Sequence, residues 1–358
     1  MVQSFHLKEA DALRVDGEEL RRSTVALFQK LGVSADDAAC AADVLVMADL
    51  RGVDSHGVSN MLKTYIERFG DGTQNAHPDW KVVSERASIA NIDADLGLGI
   101  IIAPKAMEIA IAKARDTGVG VVTVNNAGHL GMAAYHAMLA LPHDMIGMCM
   151  TAAGASVLPT FGSVPKLGTN PIAMAAPAGE EEPWVFDMAT SIVPVNKLHN
   201  AHRMGSTLPP GHIADAAGVP IMEPVLAPET FNLLPLGSTR EQGSHKGYGL
   251  ASAVEILCSM MSGARWATQL PRWSFRHYLA AYDVSAFGDI DEFKANMDGW
   301  IRELKATPPA PGHERVLVAG QPEHEMFLDR SANGIPLHNQ VVDWFRTTCA
   351  EFGVPCAI

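Results

Sequence analysis

The sequence predicts a mixed α/β fold with a helical unit beside it. Three observations carry that expectation. The first seventy residues set apolar side chains at helical spacing. From about residue 78, short β-branched runs alternate with helix-like stretches. Apolar residues make up 47% of the 358-residue chain and charged residues only 19%, which allows a large buried core and excludes disorder. At roughly 150 residues per domain, the length suggests about two domains.

Residues 18–32 read as a helix that stops at Gly32. Ser34 is placed to cap a second, alanine-rich helix over residues 35–50. A third runs near residues 61–69 and ends at Gly70-Asp71-Gly72. Strands are expected at residues 80–83 and 88–93, followed by a helix over 103–117 and a strand over 120–124. A helix over 133–140 and strands at 146–151, 172–176 and 184–188 come next. Residues 205–237, rich in Pro and Gly, read as a long surface excursion. A helix over 248–261, a strand over 277–283 and a helix over 290–305 precede the proline-rich residues 307–312. No internal repeat is present.

A formal net charge of −13 disfavours nucleic acid, whose binding needs clustered Lys and Arg. No apolar run reaches the roughly 18–20 residues of a membrane helix. The first nine residues lack a basic segment followed by an apolar one, so the expectation is a soluble cytoplasmic protein. Cys40, Cys149, Cys258, Cys349 and Cys356 form no CxxC and are odd in number, which suits reduced thiols used as small apolar residues.

A dinucleotide fingerprint is poor. Gly97 and Gly99 supply G-x-G after a strand, but Ile102 stands where a third small residue belongs. Asp116 lies at the distance of the expected acid, yet inside a helix end. The pair reads better as glycines easing a tight strand-to-helix turn.

Four segments could carry chemistry. Asp54-Ser55-His56-Gly57 holds the residue types of a hydrolase triad, but neighbours in sequence do not face one another. The alternative is a helix cap beside a surface histidine. His129 sits between Gly128 and Gly131 where a strand turns into a helix. An imidazole, with a pKa of roughly 6.5, suits proton transfer there, and the glycines would let a ligand come close. A solvated turn histidine is the alternative. Lys246, just before a helix, suggests an anion site or a solvated lysine. Asp187, at a strand end before Met188, Ala189, Thr190 and Ser191, could meet a ribose, orient an imidazole or cap a helix. His199 and His202 share the i, i+3 spacing of metal ligands, but no third ligand follows, so no metal is expected.

In order along the chain, residues 51–57 (RGVDSHG), 128–131 (GHLG), 168–171 (GTNP), 186–191 (FDMATS), 245–249 (HKGYG), 316–322 (VLVAGQP) and 333–337 (NGIPL) resemble the malate/L-lactate dehydrogenase family. This is the NAD(P)-dependent family distinct from the Rossmann-fold enzymes. The likeness spans residues 5 to 350. It implies a mixed-sheet, non-Rossmann NAD(P)-binding domain at residues 78–285. Beside it would stand a helical domain built from residues 1–77 and 286–358. It implies hydride transfer between NAD or NADP, with NAD favoured, and a small 2-hydroxy or 2-oxo acid, in a homodimer. By the same resemblance His129 is the proton acceptor, and Ser55, His56 and Asp187 form a relay. Asp187, Met188, Ala189, Lys246, Gly320, Gln321 and Pro322 match coenzyme contacts, and Thr169 a substrate contact.

The chain departs from the family pattern in places. Asn60 stands where S-H-G-x-x-R carries the arginine that grips a substrate carboxylate, a grip asparagine cannot reproduce. Lys63 and Arg203 are candidates for a replacement anchor. Ala153 replaces a serine, Asn196-Lys197 replaces Gly-Lys, and residues 263–276 lack the usual glycines. Three other readings stay open: a reductase of cyclic imino acids, a non-catalytic metabolite-binding protein, and a hydrolase using Ser55, His56 and Asp187. The last lacks a GxSxG elbow.

Overall fold

The computed structural model describes Leu7, residues 9–356 and Ile358; residues 1–6 and 8, read above for a leader segment, lie outside the described part. Strand β1 (Ala12–Val15) leads into α1 (Gly17–Lys30), α2 (Ala35–Leu50) and α3 (Val58–Gly70). Asp16 and Ser34 cap α1 and α2 through side-chain oxygens, as the sequence suggests for Ser34. Then follow β2 (Lys81–Glu85), β3 (Ile89–Asp93), α4 (Gly99–Thr117), β4 (Val119–Ala127) and α5 (Ala133–Met138). Next come β5 (Met145–Ala152), β6 (Ile172–Ala176), β7 (Trp184–Met188) and α6 (Val195–Arg203).

The segment after α6 is more than a loop. It forms β8 (Thr207–Leu208), β9 (Ile213–Ala214), β10 (Val225–Leu226) and β11 (Asn232–Leu233), paired β8 with β10 and β9 with β11. Leu208, Ile213 and Leu233 bury against Leu198 of α6 in a small core of their own. Such short strands leave no period-2 signal to read. The chain continues through α7 (Ser244–Glu255), one wide π turn at Ile256–Met260, β12 (Phe275–Asp283) and α8 (Ile290–Lys305). It ends with α9 (Gln321–Asn333), β13 (Ile335–His338) and α10 (Asn339–Phe352).

Seven strands form one mixed sheet in the order β2-β3-β4-β12-β5-β6-β7. Only β3 and β4 run parallel, and α4 supplies the crossover that parallel pairing requires. Late in sequence, β12 inserts at the centre, with His277 beside Val124 on one side and Thr151 on the other. The two chain ends meet where β1 pairs antiparallel with β13. The main apolar core runs from α1 and α2 through α4 to the sheet and reaches α10.

Candidate active site

The site starts from the turn between α2 and α3. Gly57 opens α3 and has no side chain to cap it. The carboxylate of Asp49, fully buried on α2, takes that role and accepts the Val58 amide at 2.7 Å. Neither Asp54 nor Ser55 caps the helix, so the alternative reading of that segment as a helix cap does not hold. Burial, and then neighbouring Asp54, push the Asp49 carboxyl well above the usual range. Ser55 Oγ lies 2.8 Å from His56 Nδ1. Asn196, at the start of α6, donates to the Ser55 carbonyl at 2.7 Å. That departure from the family pattern therefore clamps the Ser55–His56 turn.

His129 follows β4. Its ring stacks on His56, with centroids 5.4 Å apart and planes 17° from parallel. Tyr65 Oη of α3 lies 2.7 Å from its Nδ1, and the Gly131 amide donates to the same nitrogen at 3.1 Å. Phe275 meets the ring edge-on at 5.1 Å. Burial, then His56 and His277, hold His129 well below its ordinary pKa, and burial with Lys197 pushes His56 down to about 4. Glycines around the ring also make room within the protein. A Cβ at Gly128 would stand 1.8 Å from Gln74 Oε1, and one at Gly99 would stand 2.6 Å from the Gly128 carbonyl. Gly128 thus leaves room for the Gln74 side chain, and Gly99 lets the backbone at Gly128 come close.

Two clefts meet here. The first, about 570 Å³, is lined by Val185 to Ala189 of β7, by Val318 to Gly320, by Pro322 and by Arg51 and Lys197. The second, about 590 Å³, holds His129, Tyr65, Asn60, Arg68, Arg203 and Arg272. His56 and Thr169 border both. Thr190 fixes Thr169 by donating to its carbonyl from both amide and hydroxyl. Ala153, also in the second cleft, donates its amide to Asn170 Oδ1 at 3.0 Å.

The expected residues divide between these spaces. Asp187 faces the first cleft and accepts from the Ala134 amide at 2.8 Å, so it bonds neither Ser55 nor His56. Part of its surface is open, but surrounding protein pushes its carboxyl up to about 6. Gln321 bonds Glu325 and the Val318 amide. Lys246 is exposed near the start of α7 and lines neither cleft. Lys63 is likewise exposed, beside Glu67, whereas Arg203 reaches the second cleft and donates to Asn60 Oδ1 at 3.4 Å. His202 bonds the Ala227 carbonyl while His199 lines the second cleft. Sequence reasoning missed Tyr65, Arg68 and Arg272. For the first two a signal existed: Asn60, Thr64, Tyr65 and Arg68 recur at helical spacing and share one face of α3.

Both clefts hold unmet donors. Arg51 Nε in the first and Arg68 Nη1 in the second are buried without a hydrogen-bond partner among the described residues. No carboxylate lines the second cleft, and none of its three arginines has an ion-pair partner among the described residues. Anions are what such groups await. The first cleft fits a pyridine dinucleotide. Arg51 and Lys197 would meet its phosphates, Asp187 a ribose hydroxyl, and the apolar wall of Val185, Met188 and Pro322 a ring. Gly320, at φ +88°, lies so close to Val185 that a Cβ would stand 2.9 Å from its carbonyl oxygen.

Fold, paired clefts and relatives together define an NAD(P)-dependent dehydrogenase acting on a CH–OH group. The chain belongs to the malate/L-lactate dehydrogenase family, whose model matches residues 15–346. It is 39% identical over 351 residues to a malate dehydrogenase of Pyrococcus abyssi, covering 96% of each chain. To an L-sulfolactate dehydrogenase of Methanocaldococcus jannaschii it is 36% identical, covering 94% of this chain and 96% of that one. Its fold matches a crystal structure of malate dehydrogenase from Entamoeba histolytica with a TM-score of 0.92 at 32% identity, covering 97% of this chain and all of that one.

Proposed function

We propose that the chain moves a hydride between NAD, in preference to NADP, and the C2 carbon of a small anionic 2-hydroxy or 2-oxo acid. One observation carries this reading: two clefts meet at His56 and Thr169, one lined by coenzyme-type groups and the other by His129 and three arginines that have no ion-pair partner among the described residues. The coenzyme supplies hydride acceptance or donation. The chain supplies the rest. His129 exchanges a proton with the substrate oxygen. Thr169 borders the reacting carbon, and Ser55 holds His56 in its stack on His129. Arg203, steadied by Asn60, grips the substrate carboxylate.

Asp187, Met188, Ala189, Gly320, Gln321 and Pro322 are the proposed coenzyme contacts. Lys246 enters only where the coenzyme extends past the cleft. Asp187 and Glu323 both line that space and would repel an extra 2′-phosphate, which supports NAD. A helical domain of residues 1–77 and 286–358 beside residues 78–285 is supported by the pairing of β1 with β13. Exposed Ile256, Met260, Met261 and Trp266 support a homodimer, and five unpaired cysteines support a reducing, cytoplasmic setting.

The test is the absorbance of reduced nicotinamide, followed across 2-oxo acids, cyclic imino acids and 2-hydroxy acids. Turnover of a 2-oxo acid is the expected result. Turnover confined to cyclic imino acids would favour the reductase reading that Asn60 suggests. No binding heat from either coenzyme would end the proposal. His129→Asn should keep coenzyme affinity and lose about 10²–10⁴-fold in turnover.

A further inference from the structure

The Gly131 amide can only donate, so His129 Nδ1, which it reaches at 3.1 Å, must offer a lone pair. Tyr65 Oη lies 2.7 Å from the same nitrogen and is therefore a donor there as well. Two donors on Nδ1 leave the proton of the neutral ring on Nε2. Nε2 has no partner among the described residues, and the ring lines the second cleft. The resting histidine thus offers the substrate oxygen an N–H.

That tautomer suits a carbonyl oxygen but raises a difficulty. If Nε2 gave up its proton alone, the ring would become an imidazolate. A cationic ring would avoid this, but burial and the neighbouring His56 and His277 oppose the cation. We infer that Tyr65 is a positioning and proton-relay residue for His129: it fixes the Nε2–H tautomer, and its hydroxyl proton passes to Nδ1 as the Nε2 proton passes to the substrate oxygen. The inference rests on the dehydrogenase reading.

The step balances. In reduction, C2 gains the hydride and the carbonyl π pair becomes an O–H bond with the Nε2 proton. The Nε2–H bond breaks, Nδ1–H forms, and the Tyr65 O–H bond breaks to leave a phenolate. A cleft water then protonates Nε2 and leaves as hydroxide to solvent, and the Nδ1 proton returns to the phenolate. Oxidation runs the same steps backwards. Burial pushes the Tyr65 hydroxyl well above its ordinary pKa, so the phenolate is only transient; Arg68, three residues along α3, opposes that shift, and its Nη1 has no hydrogen-bond partner among the described residues. Tyr65 is fully buried, so the hydroxyl stays ordered against the ring.

Two measurements test this. Nitrogen-15 NMR of histidine-labelled, ligand-free protein should show His129 as the Nε2–H tautomer. In Tyr65→Phe, which keeps the buried ring, that preference should weaken. With saturating NADH and a 2-oxo acid, Tyr65→Phe should lose about 10²-fold in kcat with KM changed less than about threefold. The solvent-isotope proton inventory should change from bowed, with two protons in flight, to linear. An Nδ1–H tautomer in the wild type would overturn the assignment, as would unchanged kcat and inventory in Tyr65→Phe. A wild type that reduces no 2-oxo acid would sink the reading of function and the relay with it, while the spectrum would still decide the tautomer.

Discussion

Arg203 leans on Asn60: its Nη2 donates to Asn60 Oδ1 at 3.4 Å, and the Asn60 amide donates in turn to the Asp54 carbonyl at 2.6 Å. The residue that replaces the family's arginine therefore braces another arginine, one that arrives from α6. Arg203→Met should raise KM for a 2-oxo acid by about 10–100-fold, the worth of one charge-assisted hydrogen bond at roughly 1.5–3 kcal/mol. Asn60→Ala, which removes only the brace, should cost about threefold, within the roughly 1 kcal/mol of an ordinary hydrogen bond. Steady-state kinetics at saturating coenzyme would read both. An unchanged KM in Arg203→Met would move the anchor to Arg68 or Arg272.

That brace shows how much of the site was legible in the sequence. The α3 stretch reads as helical, and Asn60 stands out as a departure, so the missing anchor can be noticed. Its replacement needs α6 folded across the α2–α3 turn, through Asn196 to the Ser55 carbonyl, which no local pattern encodes. The strands around the site were read to within a few residues because each is a short run of apolar, aromatic or β-branched residues. Their order was not, because β12 enters the sheet centre from more than 120 residues beyond the end of β5. Tertiary pairing alone decides that. Asp187 illustrates the same limit: its place at the end of β7 is a local fact, but its partner, the Ala134 amide, comes from another element.

Acid should destabilise the protein below neutrality. His136 and His277 are fully buried, and burial pushes them down to about 4 and about 3. His56 and His129 are displaced in the same direction. The unfolded chain takes up these protons near pH 6.5 and the folded chain refuses them, so stability falls as pH drops through that window. Asp49 and Asp187 act oppositely, because their raised pKa values let the folded state hold protons that the unfolded state releases. Four histidines against two carboxyls, with Asp187 partly screened by solvent, leave a net loss on the order of 1–3 kcal/mol per pH unit between about pH 6.5 and 5. Urea midpoints at pH 7, 6 and 5 would show it. A midpoint constant across that range would mean the buried rings are not held neutral.

Beneath the second cleft, Arg276 donates to Glu255 Oε1 at 3.1 Å, to Ser259 Oγ at 2.9 Å and to the Ser274 carbonyl at 2.7 Å. Asn170, beside Thr169, donates to the other Glu255 oxygen at 3.2 Å. Arg276→Met leaves a buried carboxylate with no counter-charge and should cost about 3–5 kcal/mol. Removing both charges in Arg276→Met/Glu255→Leu should cost less than the single change, because nothing charged is then left buried. Denaturation of the two variants compares them directly. A double variant less stable than Arg276→Met would show that the pair stabilises the fold by more than cancelling its own charges.

Gly57 tests the turn that carries Ser55 and His56. A Cβ there would stand 1.9 Å from Asp49 Oδ1 and 2.2 Å from its Cγ, far inside any tolerated contact. Asp49 cannot swing away cheaply, since it is fully buried and capped to the Val58 amide. Gly57→Ala should therefore destabilise by about 1–3 kcal/mol through overpacking, and turnover should fall as His56 shifts against His129. If the clash is with the carboxyl group, Asp49→Ala clears the space. The pair should then be non-additive, with Gly57→Ala costing little once Asp49→Ala is present. Denaturant midpoints of the four proteins in this cycle give the coupling. Strictly additive losses would show that the cost at Gly57 does not come from its closeness to Asp49.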